Sequence, residues 1–140
     1  KQILSDEICI QSINIYTITL RDLHFNAKFK LNFNKKDFFF AYLLYFNVHF
    51  NHDTLSYSSS YSTGPYQEET TWKQTLFFLK EQIPIDIGDS VEGFIEFIPH
   101  DKQKEKTNYT TTAPPQLSIQ FTQVKIKDKQ SIENSIYHLA

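Results

Sequence analysis

Cysteine occurs once in these 140 residues, at Cys9. No internal disulfide can form, and a reducing compartment is the default. Methionine is absent, and Arg21 is the only arginine among 14 basic residues. The net charge of -2 lacks the basic surplus of a nucleic-acid-binding domain, so no direct nucleic-acid partner is expected. No apolar run reaches about 18 residues, which excludes a membrane-spanning helix. No charged-then-apolar leader opens the chain either, so the sequence predicts a cytoplasmic or nuclear setting. The sequon Asn108-Tyr109-Thr110 then reads as incidental. Only three glycines are present, Gly64, Gly88 and Gly93, and none belongs to a Gly-rich loop after a strand. A backbone cradle for phosphates or a nucleoside cofactor is therefore missing.

What is abundant is aromatic and β-forming. Hydrophobic residues make up 40% of the chain, with 13 Phe and 8 Tyr, ample for a real core and too apolar for a disordered tail. Alternation carries the fold class. Phe25, Ala27, Phe29, Leu31 and Phe33 are separated by Asn or Lys, which puts one face in a core and the other in water. The same pattern holds for Leu44, Phe46, Val48 and Phe50, for Ile83, Ile85 and Ile87, and for Val91, Gly93, Ile95 and Phe97. Leu117, Ile119 and Phe121 share one phase and Val124 and Ile126 the other, a slip that predicts a β-bulge around Thr122-Gln123.

With Ile13–Leu20 and Thr75–Leu79 added, the reading is all-β: a barrel-like or distorted sandwich of about seven to nine mostly antiparallel strands. Asn34–Asp37 and Asp86–Ser90 are predicted turns, the second with Gly88 available for positive φ. Helical spacing of Phe38, Ala41 and Tyr42 predicts a helical turn at the start of Phe38–Leu44. Ser56–Glu69 reads as a long ordered loop and Asp101–Pro115 as a mobile surface loop.

Catalytic patterns are absent. The histidines His24, His49, His52, His100 and His138 lack ligand spacing, so no metal is expected. His52 beside Asp53 is better explained by a turn after Phe50 than by acid–base work. Trp72, the only tryptophan, is either a core anchor beside Leu76 and Phe77 or a ring at the mouth of a site. Glu68, Glu69, Asp86, Asp89, Glu92 and Glu96 make a loosely acidic middle stretch, which is either a solvated face or a surface that steers a cationic partner.

One block is more specific. Ser62-Thr63-Gly64-Pro65, then Thr70-Thr71-Trp72-Lys73-Gln74-Thr75 with Leu76-Phe77, resembles the barrel-domain signature of protein arginine methyltransferases. Family members commonly read Ser-Thr-Gly-Pro, then Thr-His-Trp-Lys-Gln-Thr and an apolar pair. Flanking segments agree in order: Ile15-Tyr16-Thr17 with Asp22-Leu23, Tyr45-Phe46-Asn47-Val48, and Gly88-Asp89 with Val91-Glu92-Gly93. The likeness extends from Lys1 to Phe97, and beyond that by strand pattern only.

The resemblance implies that residues 1–140 are the substrate-binding and dimerisation barrel of such an enzyme. The domain that binds S-adenosylmethionine, the paired glutamates that hold the guanidinium and the dimerisation arm would all lie upstream. It places Thr70, Thr71 and Trp72 in the loop lining the arginine pocket, with no catalytic residue and no cofactor ligand in this chain. Thr71 departs from the family histidine; a hydroxyl is shorter and carries no positive charge. Implied partners are arginine-containing, Gly/Arg-rich proteins and a second copy bound through the arm. The Thr-x-Trp pattern is nearer to asymmetric-dimethylating, type I enzymes. The alternatives are an inactive paralogue that regulates an active enzyme, and a carbohydrate-binding sandwich using Trp72, Tyr57, Tyr61 and Tyr66 as stacking platforms.

Overall fold

The computed structural model describes residues 3–50, 59–99, 117–126, 129–132 and 135–139. Among the described residues nine strands are seen, in order β1 (Phe25–Asn32), β2 (Asp37–Leu44), β3 (Asn47–Phe50), β4 (Ser59–Ser62), β5 (Thr75–Ile85), β6 (Ser90–Pro99), β7 (Leu117–Ile126), β8 (Lys129–Ile132) and β9 (Ser135–Leu139). A 3-10 turn, Leu20–Leu23, precedes them, and the described residues contain no α-helix. The all-β, antiparallel class expected from the alternation is the one observed. Two compact units are formed, one spanning Phe38–Pro84 and the other combining Ile3–Asp37 with Ile85–Ala140.

The larger unit is a five-stranded sheet, with β1, β6 and β7 side by side and both β8 and β9 pairing with β7. Phe29, exposed to only 4%, lies opposite Gly93 in register and meets the edge of Phe121 at 6.1 Å. Phe33, Val91, Ile95 and Ile119 complete the buried face, while Asn26, Lys28, Lys30 and Asn32 face water. The alternation in β1 thus reports this sheet directly. On the wet face the register sets Lys30 opposite Glu92, an opposite-charge pair that favours this pairing over a one-residue slip. Between β6 and β7 the register shifts: Glu92 faces Lys125 but Phe94 faces Thr122. β7 spends one residue more than β6 there, the bulge that the phase slip predicted.

The Asp86–Ser90 turn forms as expected. Gly88 has φ +90, and Asp89 folds back so that its carboxylate accepts from the Asp86 amide at 2.9 Å. The Gly88 amide donates to the Phe33 carbonyl and the Phe33 amide to that of Asp89, which carries the β1–β6 pairing into the turn. Lys36 lies 2.7 Å from Asp86, and this hydrogen bond holds its ammonium above the ordinary range.

Three local expectations are corrected. Phe38–Leu44 is strand from end to end: Phe39 is buried while Phe38 and Phe40 are exposed, which is period-2 geometry. The helical spacing of Phe38, Ala41 and Tyr42 misled because Tyr42 is buried as well, where it meets the Phe39 ring edge-on at 5.0 Å. Ile13–Leu20 is not a strand. The Asn14 side chain accepts from the Tyr16 amide and its carbonyl from Thr17 and Ile18, so a local turn takes the donors a sheet would need. Ile15 and Tyr16 stay exposed at 74% and 92%. The Ser/Tyr-rich loop contains a strand, β4, paired with β3. The expected loop over residues 101–115 lies outside the described residues.

Candidate functional site

In the smaller unit, β3 and β4 form a hairpin with Asn47 opposite Ser62 and Val48 opposite Tyr61. The pairing continues one step past the strands. The Thr63 amide donates to the Phe46 carbonyl at 3.0 Å, while the Thr63 hydroxyl both accepts from the Phe46 amide and donates to the same carbonyl, each at 3.1 Å. Thr63 is 3% exposed, so these bonds work away from water, where a lost partner is costly.

Gly64 follows with its amide on the Ser62 hydroxyl at 3.0 Å. A Cβ there would sit 2.9 Å from the Tyr45 ring, so the backbone passes the ring at a distance only glycine allows. The Gln67 amide closes a turn onto the Gly64 carbonyl. The Ser-Thr-Gly-Pro block is thus a hairpin lock followed by a turn.

The Thr70–Gln74 stretch is tied to that lock. Gln74 Nε2 donates to the Thr63 carbonyl at 2.7 Å, and Thr70 Oγ1 donates to the Trp72 carbonyl at 2.7 Å. β5 begins one residue later, anchored by Phe77, which is 1% exposed. Full burial of such a ring stabilises by about 1.5–3 kcal/mol.

Trp72 itself is 57% exposed, so it is no core anchor. Its indole stacks on the Tyr61 ring (centroids 5.6 Å apart, planes 17° apart) and meets the edge of Phe46 at 6.2 Å. Phe46 also meets Tyr61 edge-on at 6.5 Å, and Phe50 lies 6.4 Å from Tyr61. Thr71 is exposed beside the indole and Thr70 half-buried. The predicted residues therefore share one loop, with Thr70 bonded to the Trp72 backbone. Sequence reasoning missed Phe46, which reads as one apolar phase of a strand, and saw Tyr61 only as a solvent-facing platform. Tyr66, the other described tyrosine of that platform, is 74% exposed.

Among the described residues, no three His, Cys, Asp or Glu side chains converge as a metal site would require. His52, Asp53, Tyr57 and His100 lie outside the described residues. His24 hydrogen-bonds Glu96 at 2.9 Å on the larger unit, and Glu68 and Glu69 are exposed.

A locked hairpin presenting a half-exposed indole on an all-β scaffold is the candidate site, and the chain that carries it has known relatives. Residues 1–112 match the family described as arginine methyltransferase oligomerization subdomain, and the chain belongs to that family. Among named relatives, protein arginine N-methyltransferase 1 of Caenorhabditis elegans is 30% identical over 99 residues, covering 71% of this chain and 28% of that protein. Protein arginine N-methyltransferase 8-B of Danio rerio is 28% identical over 110 residues, covering 79% and 26%. Protein arginine N-methyltransferase 1 of Dictyostelium discoideum is 28% identical over 137 residues, covering 98% and 37%. The fold matches a chain of the Trypanosoma brucei PRMT1 enzyme-prozyme heterotetrameric complex with AdoHcy, with a TM-score of 0.81 and 20% identity over 99% of this chain and 41% of that one. The chain thus spans roughly a quarter to two fifths of the proteins it matches.

Proposed function

We propose that this chain is the barrel portion of a protein arginine N-methyltransferase, in which the Thr70–Trp72 loop lines the groove for an arginine-bearing peptide. The observation that carries the reading is Trp72. An indole braced on one face by Tyr61 and half open to water is built to contact something outside this unit. A planar, weakly hydrated guanidinium suits such a ring, because the π-face attracts a cation. Thr70 holds the Trp72 backbone, Thr71 precedes the indole in the chain, and the exposed Glu68 and Glu69 steer a cationic Gly/Arg-rich substrate toward the loop.

Methyl transfer requires a bound sulfonium donor in line with the attacking nitrogen. The described residues do not fit that donor, since they contain neither a Gly-rich strand-to-helix turn nor an α-helix whose N-terminus faces a ligand. S-adenosylmethionine binding, the glutamate pair and the dimerisation arm are assigned to a domain outside this chain. The lengths of the relatives leave ample room for it. Homodimerisation through that arm, asymmetric dimethylarginine as product and a cytoplasmic or nuclear location belong to the same proposal.

Thr71 favours a second reading, an inactive paralogue that regulates an active enzyme, because a hydroxyl replaces the ring that orders the family loop. One titration separates them. Labelled S-adenosylmethionine and a Gly/Arg-rich peptide are given to the methyltransferase that carries this chain. Methyl incorporation supports the enzyme; failure to bind the donor supports the regulatory paralogue.

A further inference from the structure

We infer that Tyr61 is a positioning residue that fixes the orientation of the Trp72 indole and thereby tunes how the loop receives its substrate. The inference rests on Trp72 lying in the site proposed above. The hydrogen bonds that tie this loop down act on backbone: Thr63 closes onto Phe46, Gln74 reaches the Thr63 carbonyl, and Thr70 caps the Trp72 carbonyl. These bonds fix where the Cα of Trp72 sits but leave its side-chain torsions open. What selects the rotamer is the pair of rings, Tyr61 parallel at 5.6 Å and Phe46 edge-on at 6.2 Å.

The two rings are themselves held in place. Tyr61 is on β4 in register with Val48, and Phe46 is clamped through both its amide and its carbonyl by the buried Thr63. The hairpin therefore sets the indole plane before any ligand arrives, and a binding group ordered in advance costs less entropy when the ligand is captured. The stacking is a property of the ring and not of the phenolic hydroxyl, so phenylalanine should substitute and an aliphatic side chain should not.

The test uses the methyltransferase that carries this chain, with Tyr61→Leu, Tyr61→Phe and Trp72→Ala compared in peptide kinetics. A 19F spectrum of 5-fluorotryptophan-labelled protein accompanies them, with the Trp72 signal assigned by its loss in Trp72→Phe. An aromatic pair of this kind contributes enough for a roughly two- to tenfold drop in kcat/KM in Tyr61→Leu. Tyr61→Phe is expected within twofold of wild type. The Trp72 resonance should broaden or split in Tyr61→Leu, as the indole samples more than one rotamer, and stay one sharp line in Tyr61→Phe. A single sharp resonance in Tyr61→Leu, shifted or not, overturns the inference, as does wild-type kcat/KM in that variant while Trp72→Ala is impaired. If Trp72→Ala turns over normally but the resonance still broadens or splits in Tyr61→Leu, the bracket stands and the site reading falls. Tyr61→Val, which suits a strand, replaces Tyr61→Leu if the latter lowers Tm.

Discussion

Side chains that look alike in composition do different work once placed. Phe77 and Phe78 are neighbours, yet the first is 1% and the second 58% exposed, because β5 turns successive residues to opposite faces. Trp72 was legible as an exception: one tryptophan after a polar run, in a block with a family likeness. Its partners were not, since pairing Phe46 and Tyr61 with it requires the β3–β4 register, which no local pattern encodes. Gly64 makes a sharp residue-scale prediction. Its added methyl in Gly64→Ala meets Tyr45 at 2.9 Å and the Ser62 hydroxyl at 3.0 Å, and overpacking of this kind costs about 1–3 kcal/mol. Chemical denaturation should show that loss; an unchanged midpoint would mean that Tyr45 swings aside freely.

At the scale of elements, legibility followed the number of faces an element buries. β1 and β6 each have one dry and one wet face, so their alternation gave strand, phase and, through β7, the bulge. In β2 the helical spacing joined Phe38, Ala41 and Tyr42, but Phe38 is exposed while Tyr42 is buried, so the three share no dry face. β4 is built of Ser and Tyr with no apolar phase, and only pairing with β3 makes it a strand. The 3-10 turn Leu20–Leu23 carries a pH prediction. The Asp22 carboxylate accepts from the Thr19 amide and hydroxyl, both at 2.8 Å, and these bonds, the amide first, hold its pKa below the usual carboxylate value. A depressed folded pKa means a contribution fully present above the ordinary aspartate range and lost as pH falls through the depressed value. Acidification through that lowered value should therefore weaken both Thr19 bonds, seen as the Thr19 amide NMR shift moving with the Asp22 carboxyl. Asp22→Asn should remove that titration, and its persistence would contradict the assignment.

For the whole molecule, the proposal gives this chain the substrate side and assigns the methyl donor to another domain. The isolated 140 residues are expected to transfer no methyl group to an arginine peptide, and any turnover by them alone would contradict the division of labour. Within the complete methyltransferase, the comparison of wild type with Trp72→Ala in one methyl-incorporation assay tests the central claim most directly. The account predicts at least a tenfold loss of turnover with donor binding and Tm unchanged, since the indole is exposed and braced only by rings. Wild-type turnover in Trp72→Ala would contradict it and remove this loop from the arginine site.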